Sequence, residues 1–337
     1  MAAILTAMGG NSGVPCRGML VPTWIWIVGA VVLVLGVSWG VRNQVAELLG
    51  GGGGGVAGVG GKPTIWWHVD DSQVNARQWL DWFARSTREP NEPYLKICQA
   101  RAVDRWTPEF TVEPIVGRLA ALQRLEAAGV TVPEGADRCP PVLWMAWCRA
   151  AYLRRFGGLW VDGSVLPIAS GATLRQRLDA ASALTFGADA AEGLSAGEAG
   201  QSMAGASAGW AARPDHPVWR GLEGDLAALI AAGDQSWGAV PARQGLRTLW
   251  DKHCSGVVGI DRAAEVSRDA YGRRLELDTL LGETDWPAGS TKDGLWVPLP
   301  DGRDGLERAS PWLWFMRMSV EQILEAPFVW AQLARTH

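Results

Sequence analysis

Hydrophobic and polar positions form their clearest pattern over residues 144–166, where they predict a helix followed by a strand. Gly157 and Gly158 end the helix, because glycine adopts the left-handed conformation without a side-chain clash. The next apolar run, residues 159–161, is too short for a helix and indicates a strand that is covered on both faces. The apolar face of the helix comprises Trp144, Trp147, Cys148, Ala151 and Tyr152.

An acidic turn, Asp162-Gly163-Ser164, follows that strand directly. Ligands of open α/β sheets bind in the crevice beyond the carboxyl ends of the strands, so this turn is a candidate site. Mg²⁺ and Mn²⁺ take oxygen ligands and keep several waters or phosphate oxygens, and Asp162 and Ser164 can supply the protein's share. An Asp-Gly pair is also common in ordinary turns, but the preceding helix, glycines and strand favour a site.

A similar unit begins the body of the chain. Thr64–Val69 predicts a strand that ends at Asp70-Asp71, and Ser72 is placed to cap a helix that runs to Thr87. A strand, a turn and a helix in this order are typical of an α/β domain. Further patterns predict a strand at 94–98, helices at 114–128 and 218–232, a strand or helix end at 180–186, a loop at 187–213, and a helix after Ser319, where Ser319 and Gln322 form a capping box.

The amino-terminal part of the chain contains a long apolar run. No charged residue lies within residues 18–41, and a helix needs about 20 apolar residues to cross a bilayer. Residues 21–42 therefore predict a single transmembrane signal-anchor helix, preceded by a tail at 1–20. A cleaved signal peptide and a buried soluble helix are the alternatives. The glycine-rich residues 43–61 predict a flexible linker, and residues 62–337 form the predicted body.

Composition narrows the classes of function. A formal net charge of −4 argues against a nucleic-acid partner, and a hydrophobic content of 48% is enough for a sizeable core. The chain contains 20 tryptophans, most of which we expect in the core, although tryptophan is also a side chain on which sugar rings stack. Its five cysteines lack the spacing of a metal site, and a disulfide between two of them stays open.

The central stretch reads Arg149-x-x-x-Leu153-x-x-Phe156-Gly157-Gly158-Leu159-Trp160-Val161-Asp162-x-Ser164. This pattern resembles the core of the glycosyltransferases with a DXD sugar-binding region, of the capsular-polysaccharide-synthesis and Golgi mannosyltransferase types. Residues 62–66 are similar to the first strand of that family. The step at His216-Pro217 is similar to a segment that passes near the donor. Two positions depart from the family, because Met145-Ala146 replaces a Ser-Asp pair and Ser164 replaces the second acidic residue.

The resemblance implies an α/β fold in which residues 62–337 form a GT-A-like, Rossmann-like nucleotide-sugar-binding domain behind the transmembrane helix. It implies transfer of a sugar from a nucleotide-sugar donor to a glycan or glycoconjugate acceptor, with Mn²⁺ or Mg²⁺ held by Asp162 and Ser164. The domain would be luminal, of Golgi or ER type, in a eukaryotic or viral source. No residue is assigned as the catalytic base. The residues expected to contact the donor are Arg149, Asp70, Asp71, Gly157, Gly158 and His216.

Two other functions stay open. The missing Ser-Asp pair is compatible with a catalytically inactive, membrane-anchored protein that binds carbohydrate or a partner without turnover. His68, Asp70 and Asp71 form a cluster that is typical of a metal-dependent hydrolase. That second interpretation needs further histidines, and the rest of the chain contains His216, His253 and His337.

Overall fold

Strands and helices alternate along the chain, as an α/β fold requires. The computed structural model of the chain describes residues 61–69, 92–186, 209–233, 246, 248–254, 257–261, 275–282, 294–299, 306 and 310–335. The strands within these residues are β1 (Thr64–Val69), β2 (Thr111–Val116), β3 (Gly158–Asp162), β4 (Val165–Pro167), β5 (Ala183–Phe186), β6 (Gly209–Ala212), β7 (Gly259–Asp261) and β8 (Trp296–Pro298).

Helices lie between most of these strands and near the carboxyl terminus. They are α1 (Pro93–Trp106), α2 (Gly117–Ala127), α3 (Pro141–Phe156), α4 (Gly171–Asp179), α5 (Pro217–Ala231), α6 (Leu277–Gly282), α7 (Val320–Glu325) and α8 (Val329–Arg335). Two short 3₁₀ helices, Ser310–Trp312 and Phe315–Arg317, precede α7.

The central sheet is mixed and has the strand order β2-β1-β3-β6-β5-β7. Strand β1 runs parallel to β2 and to β3, and β5 runs parallel to β7. Strand β6 is antiparallel to both of its neighbours, β3 and β5. Strands β4 and β8 form a separate antiparallel pair. A mixed sheet of this kind is compatible with a Rossmann-like fold, which confirms the predicted α/β class at that level.

The order of the strands creates a switch point between β1 and β3. After β1 the chain continues to β2 on one side of the sheet, whereas after β3 it continues to β5 on the other side. The connections that follow the parallel neighbours β1 and β3 therefore run to opposite sides of the sheet. In open α/β sheets, this arrangement forms a crevice at the carboxyl ends of the two strands. His68 in β1 pairs with Asp162 in β3 at that position.

Each face of the sheet has its own hydrophobic core. Ile65, Trp67 and Val69 of β1 point into the core that contains α1 and the C-terminal helices. The intervening Trp66 points into the other core, with α3 and α5. There, Trp66, Trp160 and Trp210 lie side by side on three neighbouring strands. Because β1 and β3 are covered on both faces, they carry continuous apolar runs, Ile65–Trp67 and Leu159–Val161, instead of alternating with polar residues.

Several predicted elements are confirmed. The helix and strand of the central stretch are α3 and β3, the strand after Lys62 is β1, and the predicted helix at 218–232 is α5. Strand β5 occupies the end of the stretch 180–186. Ser319 and Gln322 form the predicted capping box of α7, with the Gln322 N–H donating to Ser319 Oγ at 3.2 Å.

One predicted element is wrong, and two others are confirmed only in part. Residues 94–98 lie at the start of helix α1 and are not a strand. Tyr94, Cys98 and Ala102 are buried at every fourth position, which is the spacing of a helix face. The helix predicted at 114–128 begins only at Gly117. Pro114 lies in the edge strand β2, where its missing N–H costs no ladder hydrogen bond. The end of the loop predicted at 187–213 forms strand β6, and residues 187–208 lie outside the described residues.

Several predictions lie outside the described residues: the tail 1–20, the transmembrane helix 21–42, residues 43–60 of the linker, Asp70, Asp71 and the helix 72–87. Among the described residues, no helix is both long and apolar enough to cross a membrane. Cys98, Cys139, Cys148 and Cys254 are free thiols, so no disulfide joins any two of these four described cysteines.

Candidate functional site

The Asp162-Gly163-Ser164 turn is fixed to the end of β1 by hydrogen bonds. Oδ1 of Asp162 accepts two bonds from Ser164, one from its N–H at 2.8 Å and one from its hydroxyl at 2.7 Å. The N–H of Gly163 donates to the His68 carbonyl at 2.6 Å. A Cβ atom on Gly163 would lie 2.7 Å from that carbonyl oxygen, so only glycine allows the turn to approach β1 this closely.

The half-buried Asp162 carboxylate is the candidate metal ligand. Its Oδ2 atom has no hydrogen-bond partner among the described residues, whereas the buried Ser164 hydroxyl is directed at Oδ1. The described part of the chain contains no group of three His, Cys, Asp or Glu side chains that could hold a metal ion. One carboxylate with a neighbouring hydroxyl therefore fits a cation that takes most ligands from water and phosphate, as Mg²⁺ and Mn²⁺ do.

Arg149 of α3 is a buried cation near this carboxylate. Its side chain is only 3% exposed, and its guanidinium carbon lies 5.5 Å from the centre of the Trp210 ring. Among the described residues it has no hydrogen bond and no ion pair, and its Nε is fully buried. Burial lowers the pKa of Arg149, and the negative charge of Asp162 opposes that effect. Several buried indole N–H groups also lack a partner among the residues that the structure describes. They are neutral, however, whereas a guanidinium is charged.

His68 lies on the same side of the sheet and is neutral. Its ring stacks on Trp160 at a centroid distance of 4.9 Å and an angle of 27°. Its Nε2 is buried without a partner in the described structure. Burial, with a further contribution from the positive charge of Arg149, lowers the pKa of His68 to about 3. The imidazole therefore offers one hydrogen-bond donor and one acceptor near neutral pH, and it does not serve as a cationic acid.

Helix α1 brings two further side chains to the site, and the sequence analysis missed both. Glu92, at the N-cap position of α1, is buried, and Tyr94 lies in the first turn. Burial raises the pKa of Tyr94 well above its usual value, and the charges of Glu92 and Asp162 raise it further. The Tyr94 hydroxyl therefore stays protonated. The Glu92-Pro93 pair indicates a helix start, because proline is favoured at the first helical position. The predicted strand at 94–98 is incompatible with that signal.

The structure does not bring Gly157 and Gly158 to Asp162. They lie at the amino end of β3, where Gly158 pairs with Ala212. A Cβ atom on Gly158 would lie 2.2 Å from the Thr64 carbonyl oxygen, and one on Gly157 would lie 2.5 Å from the Pro214 ring. Both residues are therefore glycine because of close backbone packing, and their placement gives no support to the predicted donor contact.

His216 lies at the same amino end of the sheet. It is the N-cap of α5, where its Nδ1 accepts from the Val218 N–H at 3.4 Å. Its Nε2 lies 3.4 Å from the Ser182 hydroxyl. Burial, and then the charge of Arg213, lower the pKa of His216. His216 thus has a structural role in starting α5, and its placement gives no support to the predicted donor contact.

The position that carries an acidic residue in the resembling enzymes is apolar and buried here. Ala146 is 4% exposed and belongs to the core between the sheet, α3 and α5, and Met145 packs against the same core. The predicted donor contacts Asp70 and Asp71 follow β1 in sequence and lie outside the described residues.

The chain matches no family model, no curated protein and no solved structure. What the site can do follows from the groups that meet at the switch point. Within the described part of the chain, these are a carboxylate with one unpaired oxygen, a buried cation without an ion pair, a neutral imidazole and a protonated phenol. Such a set suits a ligand that carries both negative charge and hydroxyl groups.

Proposed function

We propose that this chain is a membrane-anchored glycosyltransferase that moves a sugar from a nucleotide-sugar donor to a glycan or glycoconjugate acceptor. Residues 62–337 would form its GT-A-like domain, and residues 21–42 its transmembrane anchor. The observation that carries the proposal is the buried, unpaired Arg149 beside Asp162 at the β1–β3 switch point.

Arg149 needs an anion that the described protein does not supply. A charged group is rarely buried without a partner, because its lost hydration is not replaced. The diphosphate of a nucleotide sugar has oxygens that a guanidinium can bind in pairs. Arg149 would hold that diphosphate in the crevice, and it would stabilise the negative charge that develops when the sugar departs.

Asp162 would act on the same diphosphate in a complementary way. Its free Oδ2, supported by the two hydrogen bonds from Ser164 to Oδ1, is available to a hydrated divalent cation. When bound, Mg²⁺ or Mn²⁺ supplies charge neutralisation for the leaving phosphate oxygens. The neutral His68 and the protonated Tyr94 offer donors for sugar or phosphate oxygens from opposite faces of the sheet.

A second candidate function is donor or glycan binding without turnover. The specific observation in its favour is Ala146, which places an apolar core residue where the resembling enzymes have an acidic one. A metal hydrolase centred on His68 would need a second histidine near His68, and neither of the other two described histidines is placed to serve. His216 caps α5, and His253 bonds Asp225 through Nε2 at 2.7 Å.

Hydrolysis of the donor in the absence of an acceptor tests the proposal. Full-length protein, purified in mild detergent, is incubated with a panel of UDP-, GDP- and CMP-sugars, with and without Mn²⁺. We expect Mn²⁺-dependent release of the nucleotide from one donor. Metal-dependent binding without release would favour the non-catalytic donor binder. Neither binding nor release from any donor would refute the transferase and the donor binder, and would leave glycan binding as the remaining function.

A further inference from the structure

Trp314 is the exposed tryptophan of the described structure. It is 39% exposed, and the other large hydrophobic side chains of comparable exposure among the described residues, Val103, Leu119 and Val257, are aliphatic. Most of the described tryptophans are buried in the two cores, as the sequence predicts. An exposed indole in such a protein leaves a large apolar surface in contact with water, and surfaces of this kind are common in ligand-binding sites.

Neighbouring aromatic rings hold Trp314 in place. Its ring meets Trp312, Phe315 and Phe328 at centroid distances of 5.8, 6.3 and 5.7 Å, and all three contacts are edge-to-face. The Trp312 indole N–H in turn donates to Oδ1 of the exposed Asp278 at 2.8 Å. A side chain fixed in this way loses little conformational entropy when a ligand binds to it.

This aromatic group borders the candidate site. Phe315, which contacts Trp314, also stacks on Tyr94 at 5.5 Å and 29°. Tyr94 is in the first turn of α1, and α1 packs against β4, the strand that follows the Asp162-Gly163-Ser164 turn. Trp314 is thus separated from the donor-binding groups by two ring contacts, on the side of the sheet opposite to Arg149.

We propose that Trp314 is the platform on which a sugar ring of the acceptor glycan stacks, with the Asp278 carboxylate accepting hydrogen bonds from its hydroxyls. The C–H face of a sugar is apolar and fits an indole face, and a carboxylate is a strong acceptor for hydroxyl groups. The site would therefore select an oligosaccharide rather than a small alcohol as the acceptor. The role of the bound sugar as the acceptor rests on the proposed function. The binding of a sugar to Trp314 does not depend on turnover.

The test measures binding of oligosaccharides to the full-length protein without any donor. Maltohexaose, mannohexaose and chitohexaose are the probes, titrated to about 10 mM by calorimetry. Trp314→Ala is compared with Leu119→Ala, which removes another exposed apolar side chain, from α2. The melting temperature of each variant shows whether it is folded.

We expect one hexasaccharide to bind, with an affinity about tenfold or more weaker in Trp314→Ala, as for truncation of a tryptophan at a binding hot spot. Leu119→Ala should bind like the wild type. Equal affinity in a folded Trp314→Ala variant would overturn the inference, and so would the absence of binding to all three probes. A protein that binds sugar through Trp314 but hydrolyses no donor would refute the transferase alone. Self-association that Trp314→Ala abolishes, without sugar binding, would instead assign the surface to a second copy of the chain.

Discussion

Replacing Arg149 by methionine should remove donor binding and, at the same time, leave the protein as stable as before or more stable. The guanidinium is 3% exposed and has no ion pair among the described residues, so the folded state bears the desolvation of a charge, which costs several kcal/mol. Methionine fills a similar volume, and burying it contributes about 1.5–3 kcal/mol. The cation–π contact with Trp210 would be lost, which costs about 0.5–2 kcal/mol.

The sum of these terms is stabilising. By analogy with the gain of about 1–4 kcal/mol seen when buried charges are replaced by apolar residues, Arg149→Met should raise the free energy of unfolding by about 1–3 kcal/mol. In a chain of this size the melting temperature should rise by about 2–6 °C. The exposed Arg155, on the same helix, gives the matched control. Arg155→Met should change the stability by no more than about 0.5 kcal/mol.

Thermal unfolding in the presence of nucleotide separates the two effects. UDP or GDP with Mn²⁺, at about 100 times its Kd, should stabilise the wild type by about 2.7 kcal/mol. Arg149→Met should lose most of this increment, whereas Arg155→Met should keep it. If Arg149→Met instead destabilised the protein by about 3–5 kcal/mol, the guanidinium would have an essential partner inside the protein. The argument that it awaits an anionic ligand would then be refuted.

Two further predictions concern the stability of the sheet. Gly158→Ala should cost more than about 3 kcal/mol or prevent folding, because its φ is +90° and the new Cβ would lie 2.2 Å from the Thr64 carbonyl oxygen. Gly129→Ala, with φ +77° but open space around it, should cost only about 1–2 kcal/mol in urea denaturation. Equal costs would show that the strand packing is not tight. His68, whose pKa is about 3 when folded and 6.5 otherwise, binds fewer protons in the folded state. Its contribution to stability is therefore complete above pH 6.5 and declines as the pH falls towards 3, by up to about 1.4 kcal/mol per pH unit. Urea denaturation from pH 7 to pH 4.5 should show a weaker pH dependence for His68→Phe, and an unchanged dependence would contradict the burial of a neutral imidazole.

The sequence predicts best what depends on neighbouring residues. Helix α3, the glycine pair, strand β3 and Asp162 follow one another within 22 residues, and each leaves a local signal of period, flexibility or charge. Helix α1 leaves a weaker local signal, because its buried residues Tyr94, Cys98 and Ala102 show a four-residue repeat only over the whole stretch 94–102.

What escaped prediction depends on contacts between distant parts of the chain. Gly157 and Gly158 were predicted to contact the donor. The structure shows instead that Pro214 and the Thr64 carbonyl pack so closely against them that a larger residue would not fit. The burial of Arg149 has no local signal either, since arginine is usually exposed. It is buried because α3 packs against both the sheet and α5, so that every residue of α3 from Ala146 to Leu153 is buried.

The most direct test of the transferase is the effect of Asp162→Asn on donor hydrolysis. Asparagine keeps the size of the side chain and an oxygen that can accept the bonds from Ser164, but it removes the negative charge that would hold the cation. With the donor identified from the panel, we expect the Mn²⁺-dependent rate to fall by about 100-fold or more, while Asp104→Asn, on the exposed surface of α1, leaves it unchanged. A folded Asp162→Asn variant that hydrolyses the donor at the wild-type rate, with the same dependence on Mn²⁺, would contradict the account.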